Sequence, residues 1–563
     1  MPSRDVETPR SRSLLIPLLL GLFLPQLLLR LPAVAAGGPL ALLVPSVEAF
    51  LLAAAVGVIA WLWPGGRRVV PPIAAVLVEF LFVFSLADAL LPLFFNRSLA
   101  LATDLGYVPD LFWLLWNTAP RRLFVGGLVL LPLLLAALGY GLTGLYAAYY
   151  RAAAERRSVG RVARLVLLGV CGAAALIGLL PAARAHGSTA VPRLAEELAN
   201  ALGTRRYVAE RRQEYQALAA AESASRRALD RLQGRDVFLF VLESYGYTLY
   251  SEPQHFALAE AFLTHLEARL QSAGYRIVSN LLSSPAFGGN SWLADSTLAA
   301  GVRIADQAAY TALLESEVKP MAAWFNEAGY RTVNSMPATT YDWPEGDFYR
   351  FQRKYYYRDF GYRGPSLKWA PMTDQFAVRA IHEREVAGSR EPLFVQYVMI
   401  SGHYPFSLIP RLFEDWSGLG DGSVYLKEGA VRALPIPAGA ATPGAAGYAA
   451  AMEYQLSVAV DYAVKFLAGR RALIVVVGDH QPYSGITGQG KSRSVPIHVL
   501  SREAAVLEPF RERGYTGGLV PYQPLPHAGL ESFLPALLED FTTPLSSGAA
   551  GGAQPQRIPQ GDG

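Results

Sequence analysis

The feature that most limits this chain's fold is its first third. Nearly all of its long apolar runs lie before residue 186. Five of them, at about 13–33, 41–63, 71–95, 123–149 and 164–183, are long enough to cross a bilayer, since about 30 Å of hydrocarbon takes roughly 20 helical residues. A soluble core does not absorb that much continuous apolar sequence, and a mean hydropathy of +0.23 over 563 residues points the same way. The first run lacks a small-residue cleavage site before the second, and four more follow, so it reads as a retained helix rather than a signal peptide.

Arginine placement orients these runs. An inside N-terminus keeps Arg4, Arg10, Arg12, Arg67, Arg68, Arg151, Arg156, Arg157, Arg161 and Arg164 on the cytoplasmic side. It leaves Arg97, Arg121, Arg122 and Arg184 outside, with Arg30 near a helix end, a bias of about two to one. Five crossings then put everything after residue 185 outside. Glu48, Glu79 and Asp88 fall within the runs, where ionisable groups are costly. Each either faces a neighbouring helix or wet cavity, or helps admit a lipid head group. Residues 110–116, with Trp113 and Trp116, read as a short helix on the outer interface. The net charge of +4 (50 Lys and Arg against 46 Asp and Glu) is too small and too scattered to mark a nucleic-acid surface. The one cysteine, Cys171, lies in an apolar run, so an intrachain disulfide and a thiolate metal cluster are both excluded.

From about 187 to 234 a helical linker leaves the membrane, with Leu194, Leu198, Leu202 and Tyr207 on one face. Beyond it the texture changes. Asp236–Leu242, Pro392–Ile400 and Ala472–Val477 are apolar throughout and alternate with helical stretches at 256–273, 317–329, 373–387 and 449–468. That pattern predicts an α/β domain over 235–543 whose sheet is mainly parallel and covered on both faces. The Gly-, Ser-, Pro- and Gln-rich tail at 544–563 reads as disordered. In such sheets ligands bind beyond the carboxyl ends of the strands. Here those ends carry Glu243, His403 and Asp479-His480. Turn residues are the ordinary expectation there; a carboxylate or imidazole at each end is not.

Asp, Glu and neutral His supply oxygen and nitrogen donors suited to one divalent ion, Mn²⁺ or Zn²⁺, with Mg²⁺ possible. Gly478 permits the irregular turn that an adjacent Asp-His pair needs to present two ligands. Ser291 follows a strand-like run at 275–282 and Gly288-Gly289-Asn290, and it opens a helix. Free N–H groups and the helix dipole favour an anion there, and a metal at the hydroxyl would activate it as a nucleophile. An ordinary N-cap serine is the alternative.

The ordered set Val-Leu-Glu243-Ser, Gly-Gly-Asn-Ser291, Gly-His403-Tyr-Pro-Phe and Gly-Asp479-His480 resembles the lipoteichoic acid synthase branch of the sulfatase/alkaline phosphatase superfamily. That branch places a catalytic domain outside the membrane after five membrane helices. The resemblance implies Glu243, Ser291, Asp479 and His480 as metal ligands, Ser291 as nucleophile and His403 as a catalytic group on the substrate side. It also implies a bacterial cytoplasmic membrane with the catalytic domain on the periplasmic or extracellular face. Asn290 and Trp343 join His403 as candidate substrate contacts, and Lys491 and Arg493 form either a phosphate-facing patch or a solvated loop. The chain departs from the branch in having Ser for Thr as nucleophile and no clear counterpart of the substrate His and Arg. The formylglycine sulfatase signature is missing around Ser291, because Ser291-Trp-Leu-Ala-Asp295 lacks its Pro and Arg. The related phosphoethanolamine transferases typically carry disulfides, which this chain cannot form.

Three readings follow. The leading one is a transferase that moves a phosphoglycerol-like head group from a membrane lipid donor to a glycan or polymer acceptor. The others are a phosphodiesterase, phosphatase or sulfatase-like hydrolase, and an inactive binding domain. His255, His382, His498 and His527 read as structural. Protease added to the outside of intact spheroplasts is expected to release fragments from the part beyond residue 186; cleavage there only after lysis would reverse the orientation.

Overall fold

A computed structural model describes residues 9–34, 38–95, 99–105, 108, 112, 121–155, 169, 171–173, 190–225, 228–341, 343–437, 440, 442–522, 524 and 526–543. In the membrane part α1 spans Pro9–Arg30, α2 Val47–Leu62, α3 Val70–Phe95 and α4 Arg121–Ala154. Among the described residues three helical stretches are long and apolar enough to cross a membrane: Pro39–Leu62, Val70–Pro92 and Arg121–Ala154. The expected count of five is therefore not reproduced. In the first run α1 is helical from Pro9 to Arg30, about 33 Å at 1.5 Å per residue, and its described apolar part is Ile16–Arg30. Its end is set by Arg30, whose guanidinium donates to the carbonyls of Val44 and Pro45, both at 3.0 Å. The expected run at 164–183 lies outside the described residues apart from 169 and 171–173, as does the interfacial segment 110–116 apart from Phe112. The tail from 544 is outside them too.

Two of the three ionisable groups in the runs are taken up by the start of α5, the connector helix Ala190–Ala224. Glu48 accepts from Ser46 Oγ at 3.0 Å and from the Val191 N–H at 3.1 Å. Asp88 pairs with Arg193 at 3.3 Å, and Arg193 also reaches Glu197 at 2.7 Å and the Leu99 carbonyl at 2.7 Å. Glu79 faces Gly139 of α4, where a Cβ would sit 2.6 Å from its Oε2. Further along, α5 packs on the domain that follows it, the outer domain in the orientation expected from the arginines. Tyr215 and Ala219 share an apolar cluster with Leu293, Ala300 and Tyr310, and Tyr207 donates to Asp306 at 2.9 Å.

The outer domain is a three-layer α/β fold. Its strands are β1 Asp236–Leu242, β2 Arg276–Ser283, β3 Arg331–Met336, β4 Arg353–Tyr356, β5 Leu393–Met399, β8 Ala472–Gly478, β9 Ser494–Ser501 and β10 Thr516–Gly517. They form one sheet in the order β10-β2-β9-β8-β1-β5-β3-β4, while β6 Leu408–Pro410 and β7 Val431–Ala433 pair separately. From β8 to β4 neighbouring strands are parallel; β9 is antiparallel to both β8 and β2, and β10 to β2. The sheet is thus mixed, with four parallel pairings and three antiparallel ones. The cause is the connection from β8 to β9: it returns over one end of the sheet by a loop and a single helical turn, so β9 must run back.

Central strands buried on both faces account for the unbroken apolar runs. In β1, Phe238, Phe240 and Leu242 enter one core while Val237, Leu239 and Val241 enter the other. In β8, Ile474 and Val476 oppose Leu473, Val475 and Val477 in the same way. Helices α6 (Pro253–Ser272), α10 (Asp374–Ile381) and α11 (Ala445–Phe466) cover the first face. Helices α7 (Ser291–Ala300), α9 (Met321–Glu327), α12 (Ala504–Glu512) and α13 (Phe533–Asp540) cover the second; α8 (Gln307–Leu314) carries the contact with α5. Phe240 is fully buried and stacked on Tyr397 at 4.8 Å. Phe240→Ala is expected to cost about 3–5 kcal/mol, read as a lower midpoint in thermal unfolding of the full chain.

Candidate metal centre and its serine

β1 and β8 run side by side with Leu242 opposite Gly478, so the residues leaving their carboxyl ends are neighbours. Glu243 follows one strand and Asp479-His480 the other. Gly478 serves a different purpose from the turn expected of it. Its backbone is not left-handed; a Cβ there would fall 1.8 Å from the Tyr245 carbonyl oxygen. The missing side chain is what lets the two chain ends approach.

Ser291 arrives from the second face of the sheet. Ser284 donates from Oγ to the Asp479 carbonyl at 2.5 Å, and Gly288 donates from N–H to the Gln481 carbonyl at 2.9 Å. Three successive left-handed residues, Gly288 (φ 68°), Gly289 (φ 143°) and Asn290 (φ 62°), then turn the chain sharply into α7. Asn290 occupies the N-cap position and Ser291 is the first helical residue, so Ser291 is not the capping group.

Its Oγ lies 3.1 Å from Glu243 Oε2 and 3.1 Å from His480 Nε2. His480 Nε2 is also 3.4 Å from Glu243 Oε1 and 3.4 Å from Asp479 Oδ2. The His480 Nδ1 is 2.7 Å from the Gln481 carbonyl, which makes it the protonated nitrogen and turns the Nε2 lone pair to the cluster. Glu243, Asp479 and His480 are all buried, and each offers a donor atom within 4.8 Å of the others. Ser244 completes the frame: its Oγ donates to Glu243 at 2.9 Å and its N–H to Asp479 Oδ1 at 2.8 Å. From below, α11 props both turns. The Gln455 amide bridges the Glu243 carbonyl and the Gly402 N–H, and the Tyr448 hydroxyl donates to the Ser244 carbonyl at 3.0 Å.

The electrostatics fit a cation. Burial and the neighbouring Glu243 push the Asp479 carboxyl well above its ordinary range. Burial opposes ionisation of Glu243 too, but His403 and His480 beside it bring its carboxyl below the usual value. Asp295, one helical turn after Ser291, is pushed well up by burial and by Asp479 and Glu243, and its Oδ1 is sealed from solvent with no hydrogen-bond partner. Three carboxylates crowd one imidazole, and a divalent ion is the species that would relieve their mutual repulsion. The donor set of two carboxylates, one imidazole nitrogen and one hydroxyl suits Zn²⁺ or Mn²⁺.

The remaining candidates divide. His403 lies close enough to Glu243 to draw its carboxyl down. Trp343 packs on Tyr349 at 5.3 Å and Tyr356 at 6.3 Å, and Tyr349 bonds Ser296 at 2.7 Å, which places this aromatic group behind α7. Lys491 is paired with Glu252 at 2.7 Å. Arg493 donates to the Pro285 carbonyl at 2.7 Å and lies over the Phe287 ring, staking the loop that leads to Ser291. His498 is buried between Ser279 and Tyr245 at 2.6 and 2.8 Å, and burial lowers it to about 3. Asp295 joins the cluster without being among the sequence candidates; its sequence signal is an acid four residues after the serine, on the same helix face.

No protein-family model matches the sequence, and no curated protein does. Among solved structures the chain is similar to the lipoteichoic acid synthase LtaP of Listeria monocytogenes, at 14% identity and a TM-score of 0.32. That match covers 48% of this chain and 65% of the synthase chain, so it spans slightly under two thirds of that protein's length. A second is the phosphoglycerol transferase GacH of Streptococcus pyogenes in complex with sn-glycerol-1-phosphate, at 12% identity and 0.35, covering 61% and 88%. A third is the integral membrane lipooligosaccharide phosphoethanolamine transferase A of Neisseria meningitidis, at 13% and 0.46, covering 94% and 95%.

Glu243→Gln and Asp479→Asn are each expected to weaken Mn²⁺ or Zn²⁺ binding beyond the roughly 10–100-fold typical of outer-shell changes, while Lys491→Ala leaves it unchanged. Elemental analysis of the purified chain after dialysis against graded metal reads this; undiminished metal in the double Glu243/Asp479 variant would overturn the site.

Proposed function

We propose that this chain is a membrane-anchored, metal-dependent phosphoryl-group transferase of the sulfatase/alkaline phosphatase superfamily. In this reading residues 1–186 anchor, 187–234 link and 235–543 catalyse outside a bacterial cytoplasmic membrane. The observation that carries it is the meeting of Ser291 Oγ with Glu243 and His480, residues 48 and 189 positions away in the chain. A second contact supports a donor in the bilayer: the helical turn Ser484–Thr487, just past His480, lies against α3 of the membrane part.

Glu243, Asp479, His480 and Ser291 would hold one divalent ion, which when bound lowers the hydroxyl's pKa and offsets charge developing on the transferred group. Ser291 Oγ attacks phosphorus of a phosphoglycerol-like lipid head group. The Oγ–P bond forms as the bond from phosphorus to the diacylglycerol oxygen breaks. The serine proton goes to Glu243 Oε2, to which the hydroxyl already donates. In this step His403 acts as the imidazolium: Nδ1–H stays on the Tyr404 carbonyl and Nε2–H passes to the leaving oxygen. A hydroxyl of a glycan or polymer then displaces Ser291 by the same steps reversed. The positive end of the α7 dipole, where Ser291 stands as the first helical residue, favours the anion throughout.

The test is intact-mass and peptide mass spectrometry of the full chain in detergent with Mn²⁺ and head-group-labelled phosphatidylglycerol. A head-group adduct on Ser291 and released diacylglycerol are expected, with Ser291→Ala losing about 10⁴-fold or more in turnover. Turnover without dependence on Ser291 would sink the reading, and release of free head group with no transfer to added glycan would make the enzyme a hydrolase.

A further inference from the structure

His403 is gripped by a stretch of chain outside the Ser291 cluster. The indole of Trp369 is half-buried and lies nearly flat on the His403 imidazole, with centroids 5.5 Å apart and planes at 19°. The ring's Nδ1 lies 3.1 Å from the Tyr404 carbonyl, so Nδ1 carries the proton and Nε2 points elsewhere. Five residues after Trp369, the fully buried Asp374 accepts at Oδ1 from the Ile400 N–H at 2.7 Å and at Oδ2 from the Ser401 N–H at 3.0 Å. Its own N–H donates to Ser401 Oγ at 3.0 Å. Two residues before and one after the indole, Leu367 and Ala370 form a small apolar cluster with Ile400, and their own turn is closed by the Leu367 N–H to the Ala370 carbonyl at 2.8 Å.

One short stretch, Leu367–Asp374, therefore holds the turn 400–403 by three different interactions. It grips Ile400 by apolar contact, Ile400 and Ser401 by hydrogen bonds to a buried carboxylate, and the His403 ring by stacking. Backbone bonds alone would fix the position of the His403 Cα. The ring would still rotate about χ1 and χ2, and a flat partner on one face removes that freedom. We propose that Trp369 is a positioning residue that holds the His403 imidazole with Nε2 toward the transferred group, and that Leu367–Asp374 is the clamp that sets this geometry. The proposal rests on the transfer reaction above for its kinetic consequence but not for its geometry.

The test uses the full chain in detergent and the labelled-lipid assay. Trp369→Ala is expected to lower kcat about 10–100-fold, the scale of a misplaced catalytic group, with KM little changed, while Trp369→Phe keeps most of the activity. His403→Ala is expected to cost about 100-fold or more, and the double variant no more than His403→Ala alone. Metal content and thermal midpoint of Trp369→Ala should equal those of the parent. A readout independent of turnover is the rate at which diethyl pyrocarbonate modifies His403, followed by peptide mass spectrometry: several-fold faster in Trp369→Ala, and close to the parent in Trp369→Phe. Additive losses in the double variant, or Trp369→Leu matching Trp369→Phe in both assays, overturn the clamp. Absence of transfer by the parent, with the modification pattern intact, removes the reaction and leaves the clamp standing.

Discussion

Two buried carboxylates a few ångströms apart repel one another strongly in a medium of low dielectric, and the outer domain is arranged around that repulsion. Glu243 and Asp479 leave adjacent parallel strands at the same level, so neither can withdraw without breaking the middle of the sheet. Asp479 is met by two backbone donors, Ser244 at 2.8 Å and His480 at 2.5 Å, and Glu243 by the Ser244 hydroxyl. What these donors leave uncompensated is the reason a cation fits. The bare glycine at 478, the tyrosine and glutamine of α11 under the turns and the zipped loop before Ser291 all keep charged ends close that would otherwise part.

The outer domain's core was legible because its central strands are buried on both faces and so lose the alternation that would mark a one-sided sheet. The same logic could not see the direction of β9, since an apolar strand looks alike whichever way it runs. Loop geometry decides that, and the stretch between His480 and Ser494 carries no signal for it. The residues at the strand ends stood out for their chemistry. What joins them to Ser291 is contact across 48 and 189 positions, which no local window holds. Trp369 illustrates the opposite case: nothing in Ser-Leu-Lys-Trp-Ala-Pro distinguishes an indole stacked on a histidine from one packed in a core. Trp343 is a candidate through the family resemblance alone, and its ring belongs to the tyrosine group behind α7.

In the membrane part hydropathy located the helices but misjudged what ends them. The 13–33 run is apolar in composition, and its helix ends at Arg30, which turns back to the carbonyls of residues 44 and 45. For Glu48 and Asp88 the sequence leaves two readings, a neighbouring helix or wet cavity and a lipid head group, because charge in a bilayer is costly. The structure occupies both with the first turns of α5, a partner more than a hundred residues further on, while Glu79 rests against a glycine of α4. The polar residues of the runs thus serve in part to root the connector, and that same helix packs at its other end on the elements that carry the serine.

In the transferase reading, the turn at 484–487 resting on α3 sets how a lipid donor is found. A site free in solution samples three dimensions and must pull a lipid from its leaflet. A site whose rim touches the bilayer meets its donor by lateral drift in a plane, at a rate governed by lipid surface density rather than bulk concentration. Diluting the donor with inert lipid would then slow the reaction at constant total donor.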